Sequence, residues 1–183
     1  MLLVEDETDL LLFPPLRAGW ALRGQPREVP ISGQNDRRVV FGAMNLCTGR
    51  RWFLVRRYQQ AVDFQAFLSL LQAHYRGWHL ALLLDENSSH TANRSLELAY
   101  EWSIKLIWLP KRAPKLNPLE RLWGDGKEVV SASRQYATIE DQVHRFLAYQ
   151  ESLSPREALH TSGVLSKHFW LRFALSKQLC GPA

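Results

Sequence analysis

Three acidic residues stand where a protein built on a β-sheet could use them together. Asp6 follows the short apolar run that opens the chain, Asp85 follows the apolar run at 80–84, and 34 residues separate Asp85 from Glu120. Ligands of open α/β sheets collect at the carboxyl ends of strands. Hard divalent cations such as Mg²⁺ and Mn²⁺ prefer oxygen ligands and keep positions for water and phosphate. Together the three acids predict a two-ion site for phosphoryl transfer.

Taken singly, each acid also has a purely structural interpretation. A carboxylate at a strand end can cap a turn or pair with an arginine. Glu120 follows Asn117, Pro118 and Leu119, the layout of a helix start with an Asn cap, an early proline and a capping-box glutamate. A capping Glu120 would reach back to its own backbone, whereas a metal ligand would point toward the two aspartates. The sequence leaves both interpretations open.

Other catalytic chemistries lack their motifs. The chain has no His/Cys cluster suited to zinc and no glycine-rich loop of the Walker type for a nucleotide. Ser88, Ser89 and His90 have the residue types of a serine hydrolase, but no G-x-S-x-G elbow surrounds them. The acids therefore remain the best candidates for chemistry.

The elements that position these acids follow from the apolar patterns. Strands are expected at 2–7, 38–46, 51–57, 79–84 and 104–109, with further extended structure at 20–22. Helices are expected at 64–75, 91–102, 117–130, from 138 onward and at 166–177. Thr138 starts one of them, with Asp141 as its capping partner. A hairpin followed by alternating helices and strands predicts one α/β domain with a partly antiparallel sheet.

The charge balance is basic, with a net charge of +5 and a pI near 9.5. A basic surface strengthens sequence-independent binding of DNA. Lys111, Arg112 and Lys115 cluster in the loop that precedes Glu120. Solvated loops and strand ends explain such clusters equally well, so charge alone supports a DNA partner only weakly.

The sequence predicts a cytoplasmic protein without a membrane partner. No stretch approaches the roughly 20 uninterrupted apolar residues that a membrane helix needs. The first nine residues contain acids and no basic region, unlike a secretory signal.

Three blocks of the sequence resemble the DDE transposases of bacterial insertion sequences in the mariner superfamily. The first is Val4 to Thr8, and the second is Leu83 to His90, in which a histidine follows the aspartate by five positions. The third and most specific is the octapeptide LNPLERLW at 116–123, followed by Lys127. The spacing between the second aspartate and the glutamate is typical of the Asp-Asp-Glu branch. The resemblance covers about residues 2–130.

The resemblance implies a ribonuclease H-like α/β fold, a mixed five-stranded sheet flanked by helices. It makes Asp6, Asp85 and Glu120 the catalytic residues and the ligands of two Mg²⁺ ions, for which Mn²⁺ can substitute. It also implies supporting positions near them, at His90, Asn117 and Trp123. Each supporting residue has a structural alternative, such as a core role for the tryptophan or an ordinary structural role for the histidine.

Basic residues receive DNA-binding roles in this scheme. Lys127 lies on the same helical face as Glu120 and is expected to contact a phosphate, although a solvated surface charge is the simpler interpretation. Contacts from Lys111, Arg112 and Lys115 are expected as well. Glu7 should point to the opposite sheet face from Asp6 and is left out of the triad.

The implied activity is metal-dependent strand cleavage at transposon ends, followed by attack of the freed 3′-hydroxyl on target DNA. Members of the family carry helix-turn-helix modules before the catalytic core, whereas Asp6 here lies five residues after Met1. Residues 1–183 are therefore expected to form a single catalytic domain, acting as a homo-oligomer or with a partner that carries the DNA-reading module. The alternative is a non-catalytic remnant that binds DNA or full-length transposase and inhibits it.

Overall fold

The computed structural model describes residues 1–25 and 28–175. It contains five strands: β1 Leu2–Leu11, β2 Arg37–Asn45, β3 Arg51–Arg56, β4 Leu80–Leu84 and β5 Ile104–Trp108. The helices are α1 Ala61–His74, α2 Ser88–Thr91, α3 Asn93–Glu101, α4 Leu119–Val130, α5 Ile139–Ser152, α6 Pro155–Thr161 and α7 Arg172–Ala174. A short 3₁₀ helix, Pro114–Leu116, precedes α4.

The five strands form one mixed sheet in the order β3-β2-β1-β4-β5. The first three strands are antiparallel neighbours, and β4 and β5 continue the sheet in parallel with β1. The predicted hairpin of β2 and β3 is present, and Gly49 takes a φ of +73° in its turn, a conformation that favours glycine. Strand β1 lies at the centre, so both of its edges are occupied.

Helices cover both faces of the sheet. On one face, Phe64, Phe67, Leu68 and Leu71 of α1 form the expected buried stripe. On the other face, α4 and α5 bury a second cluster that includes Trp123 and Phe146. Successive residues of β1 alternate between the two clusters, with Leu3 in the first and Leu2 and Val4 in the second. The predicted architecture of a mixed five-stranded sheet flanked by helices is confirmed.

Three local predictions were wrong. Strand β1 was expected to end at residue 7 but continues to Leu11, so Asp6 lies within the strand and not at its end. Residues 20–22 form no strand, and Trp20 and Leu22 are largely exposed, since neither side chain packs into the two core clusters. The helix expected at 166–177 is reduced to α7, and residues 176 and 177 lie outside the described residues. Helix α6 was missed, although Ser154 and Glu157 form a capping box at its start. Within the described ranges, no helix has the length and apolar character needed to cross a membrane.

Candidate active site

Asp6 lies on β1 on the sheet face that α4 covers. Its neighbour across the β1–β2 ladder is Gly42. The indole Nε1 of Trp123 donates a hydrogen bond of 3.0 Å to Asp6 Oδ2. Trp123 is only 1% exposed and packs over Gly42, where an added Cβ would lie 2.4 Å from the indole ring. The tryptophan is therefore both a core residue, as one interpretation expected, and a direct support for the Asp6 carboxylate.

Asp85 follows the last residue of β4 and accepts two hydrogen bonds. The backbone amide of Asn87 donates to Asp85 Oδ1 at 3.1 Å, and His90 Nδ1 lies 3.1 Å from the same oxygen. The same ring nitrogen is 3.0 Å from the Asp85 carbonyl oxygen. The hydrogen bond from His90 lowers the pKa of Asp85. These contacts favour the ionised carboxylate and orient it.

Glu120 stands in the first turn of α4, and Asn117 holds that turn against β1. The Asn117 side-chain amide donates to the carbonyl oxygen of Glu5 at 2.8 Å, and its Oδ1 accepts from the Leu119 amide at 3.0 Å. The Asn117 backbone amide donates to Pro114 at 2.9 Å. A capping-box Glu120 would accept a hydrogen bond from the Asn117 backbone amide. That amide already donates to the Pro114 carbonyl oxygen, so the capping-box interpretation is wrong.

The three predicted acids line one open cleft of about 330 Å³. Its other walls are Glu86, Asn117 and the loop from Leu109 to Pro114. Burial and the negative charges of Glu120, Glu7 and Asp85 raise the pKa of Asp6 well above its usual range. Such mutual repulsion is the environment that a divalent cation relieves.

The basic residues expected to bind DNA are distributed unequally around this cleft. Lys111 and Arg112 line it, and the Lys111 ammonium pairs with Glu86 at 3.0 Å. Lys115 lines a neighbouring pocket of about 200 Å³. Lys127 is partly buried; desolvation lowers its pKa against the opposing influence of acids that include Glu120 and Asp6.

A second group of polar residues lies behind the cleft, on the opposite face of β1. His90 Nε2 is 2.8 Å from Glu7 Oε1 and 3.5 Å from Glu5 Oε2. Within the described part of the chain, Glu5, Glu7 and His90 are the group whose ligand atoms lie within 4.8 Å of one another, close enough to hold a metal ion. Glu7 faces away from Asp6, as the strand alternation indicated. Glu5 was missed, although it shares the parity of Glu7 along β1.

Burial and mutual interaction shift the pKa values of Glu5 and His90. Burial raises the pKa of Glu5 well above its usual range, and the charge of Glu7 adds to the effect. Burial acts to lower the pKa of His90, but Glu5, Asp85 and Glu7 outweigh it and raise the pKa to about 11. The imidazole is therefore charged at neutral pH and offers donors on both nitrogens.

Comparison with known proteins places this geometry in a family. Residues 1–142 match the family described as the DDE superfamily endonuclease. The chain is 28% identical over 153 residues to the insertion element IS630 uncharacterized 39 kDa protein of Shigella sonnei, covering 82% of this chain and 45% of that protein.

Solved structures of the Mos1 transposase share the fold. The mariner Mos1 paired-end complex with Mg has a TM-score of 0.73 at 14% identity, covering 94% of this chain and 54% of that one. The catalytic domain of Mos1 mariner transposase has a TM-score of 0.63 at 12% identity, covering 88% and 74% respectively. The chain spans about half the length of the IS630 protein and of Mos1 in its paired-end complex.

The common fold is the ribonuclease H-like fold that the sequence blocks implied. The family model begins at residue 1 and extends past Glu120, so it contains all three acids of the cleft. Because that model covers well over half of the chain, this protein belongs to the DDE superfamily of endonucleases.

Proposed function

We propose that this chain is the catalytic domain of a transposase, which cleaves a DNA strand at a transposon end and transfers the freed 3′ end into target DNA. The observation that carries the proposal is the convergence of Asp6, Asp85 and Glu120 on one open cleft. The match to an endonuclease family favours this activity over a non-catalytic inhibitory remnant.

The same three carboxylates would hold two Mg²⁺ ions, with Mn²⁺ as a substitute. Burial and the charges of Glu120, Glu7 and Asp85 raise the pKa of Asp6, and this environment supports the assignment because a divalent cation would stabilise the ionised carboxylate. Structures of Mos1 with Mg and with Mn add support by family analogy. When bound, the ions would activate the attacking water or 3′-hydroxyl and stabilise the leaving oxygen.

The remaining residues of the cleft would orient the acids and receive the DNA. Trp123 orients the Asp6 carboxylate through its indole hydrogen bond, and Asn117 fixes the first turn of α4 that carries Glu120. Arg112 and Lys111 at the cleft wall would bind the phosphate backbone, with Lys115 and Lys127 as further contacts. Phosphate contacts of this kind position DNA without reading its sequence.

We further propose that residues 1–183 act as one catalytic domain in the cytoplasm. Reading of the transposon ends would belong to a DNA-binding module in the same or a partner chain, and catalysis to a homo-oligomer on paired ends. Support comes from the continuous sheet and from relatives about twice the length of this chain.

A thermal melt with and without Mn²⁺, on wild type and on Asp85→Ala, tests the metal site. A ligand specific for the folded state adds about 2.7 kcal/mol at a hundredfold excess over its Kd. We expect Mn²⁺ to raise the wild-type midpoint and to leave the variant unchanged. If neither responds while DNA still binds, the carboxylates do not form a metal site and the nuclease assignment is refuted.

A further inference from the structure

Backbone pairing does not set the separation of the two aspartates. The last parallel pair between β1 and β4 joins Val4 to Leu83. Asp6 and Asp85 each lie two residues beyond that pair, and Asp85 also lies beyond the last pair between β4 and β5, Leu84 with Trp108. The backbone ladder therefore leaves the separation of these two side chains to other contacts.

The imidazole of His90 spans this gap. Its Nε2 lies 2.8 Å from Glu7 Oε1 on β1, and its Nδ1 lies 3.1 Å from Asp85 Oδ1 and 3.0 Å from the Asp85 carbonyl oxygen. The ring is 1% exposed and packs against Phe64, with centroids 4.4 Å apart. We name this chain of contacts, Glu7–His90–Asp85, the clasp.

Glu5 lies beside the clasp. Its carboxylate is fully buried, 3.5 Å from His90 Nε2, and neither oxygen has a hydrogen-bond partner among the described residues. A ring that donates from both nitrogens satisfies both ends of the clasp. The Glu5 carbonyl also accepts the bond from Asn117 that anchors α4.

We propose that Glu7 and His90 are positioning residues, which hold Asp85 at the distance from Asp6 that divalent-metal binding requires. The inference rests on the proposed function of the three carboxylates. Partners that orient metal ligands from behind typically change metal affinity by about 10- to 100-fold when they are removed. Neither Glu7 nor His90 is itself proposed to touch the metal or the DNA.

Two substitutions at one position separate hydrogen bonding from charge. Glu7→Gln removes the charge but keeps an oxygen that accepts from His90, whereas Glu7→Asp keeps the charge but is one methylene too short to reach the ring. Asp9→Asn, at an exposed position of the same strand, is the matched control for loss of a β1 charge.

The first readout is the Kd for Mn²⁺, measured by electron paramagnetic resonance of the free ion on the full chain. We expect Glu7→Asp to raise the Kd by about 10- to 100-fold, and Glu7→Gln and Asp9→Asn to stay close to wild type. The opposite order, with Gln impaired and Asp intact, would mean that Glu7 acts through its charge or as a ligand, and would overturn the clasp.

The second readout is hydrogen–deuterium exchange of residues 85–92 without metal. Exchange should rise in Glu7→Asp and not in Glu7→Gln; equal exchange in all variants rejects the clasp whatever the metal result. If the wild type binds no Mn²⁺, the proposed function fails, and this measurement still decides the clasp. If Glu7→Asp does not fold, the proton NMR spectrum of His90 in the wild type decides. Fast exchange of the His90 Hε2 proton with water would contradict its hydrogen bond to Glu7.

Discussion

Asp6 is the residue at which folding and function oppose each other. Burial and neighbouring acids, Glu120 foremost, raise its pKa well above the usual range. The folded state therefore holds this proton more tightly than the unfolded chain does. The resulting contribution to stability is fully present below the ordinary carboxyl pKa and is lost as pH rises through the raised value. A bound divalent ion would offset that loss at neutral pH.

Replacing Asp6 with Asn should remove this conflict. We expect Asp6→Asn to melt at a higher temperature than wild type at neutral pH without metal, because a buried, repelled carboxylate is gone. Its midpoint should also vary less with pH over the range from the ordinary carboxyl pKa of about 4 upward, and Mn²⁺ should no longer raise it. Calorimetry across this range checks the expectation, with Asp9→Asn as a control that keeps the wild-type profile. A lower metal-free midpoint for Asp6→Asn would contradict the argument.

At the scale of elements, the close approach of α4 to the sheet supports the site. Gly42 of β2 lies opposite Asp6 in the ladder and leaves room for the indole ring of Trp123. The ring also contacts Phe53 and Phe146, with centroids 5.9 and 6.0 Å away. A side chain on β2 at this point would displace the indole donor that orients the Asp6 carboxylate.

We therefore expect Gly42→Ala to destabilise the protein by about 1–3 kcal/mol, the usual cost of overpacking a core. The Mn²⁺ affinity should fall as well, because the indole donor moves. Gly124→Ala is the matched control: nothing lies within 4 Å of its added Cβ in α4, and alanine favours a helix over glycine by about 0.5–1 kcal/mol. Urea denaturation of both variants measures the change in the free energy of unfolding. Equal stability of Gly42→Ala and wild type would show that the Trp123 ring moves aside without cost.

At the scale of the whole molecule, the net charge of +5 attracts DNA mainly through basic side chains that no acidic side chain neutralises. Arg112 lines the cleft and has no ion pair among the described residues, whereas Lys111 shares its charge with Glu86. Arg94, on α3, pairs with Glu97 and Glu101. DNA binding should therefore depend on Arg112 more than on Lys111 or Arg94.

Salt dependence of DNA binding measures this difference. Each phosphate contact contributes about 0.9 to the slope of log K against log salt on duplex DNA. We expect Arg112→Ala to reduce the slope by about that amount, Lys111→Ala to reduce it less, and Arg94→Ala to leave it unchanged. Fluorescence anisotropy with duplex DNA across a salt series gives the slopes. Identical slopes for Arg112→Ala and wild type would remove the cleft loop from the DNA interface.

Local patterns in the sequence were sufficient for much of the architecture. The apolar stripe of α1, the continuous apolar run of β4 and the Thr138 cap of α5 all appear as expected. These features depend on residues a few positions apart, so periodicity and capping rules are sufficient to predict them. The residues of the acidic cleft were also predicted from the sequence, through the end of β4 and the LNPLERLW block. Asp6 lies within β1 and not at its end, and the catalytic roles of all three acids stay predictions.

The tertiary structure alone decided how the acids are supported. The sequence placed Glu7 on the face away from Asp6, but not against His90, which lies 83 positions away. Likewise, the indole that orients Asp6 belongs to Trp123, 117 positions along the chain. Nothing in the sequence indicated that Glu5 is fully buried beside His90 of α2. Such contacts arise only when helices pack on the two faces of β1. Alternation along a strand determines which face a side chain takes, whereas the packing of distant elements determines what it meets there.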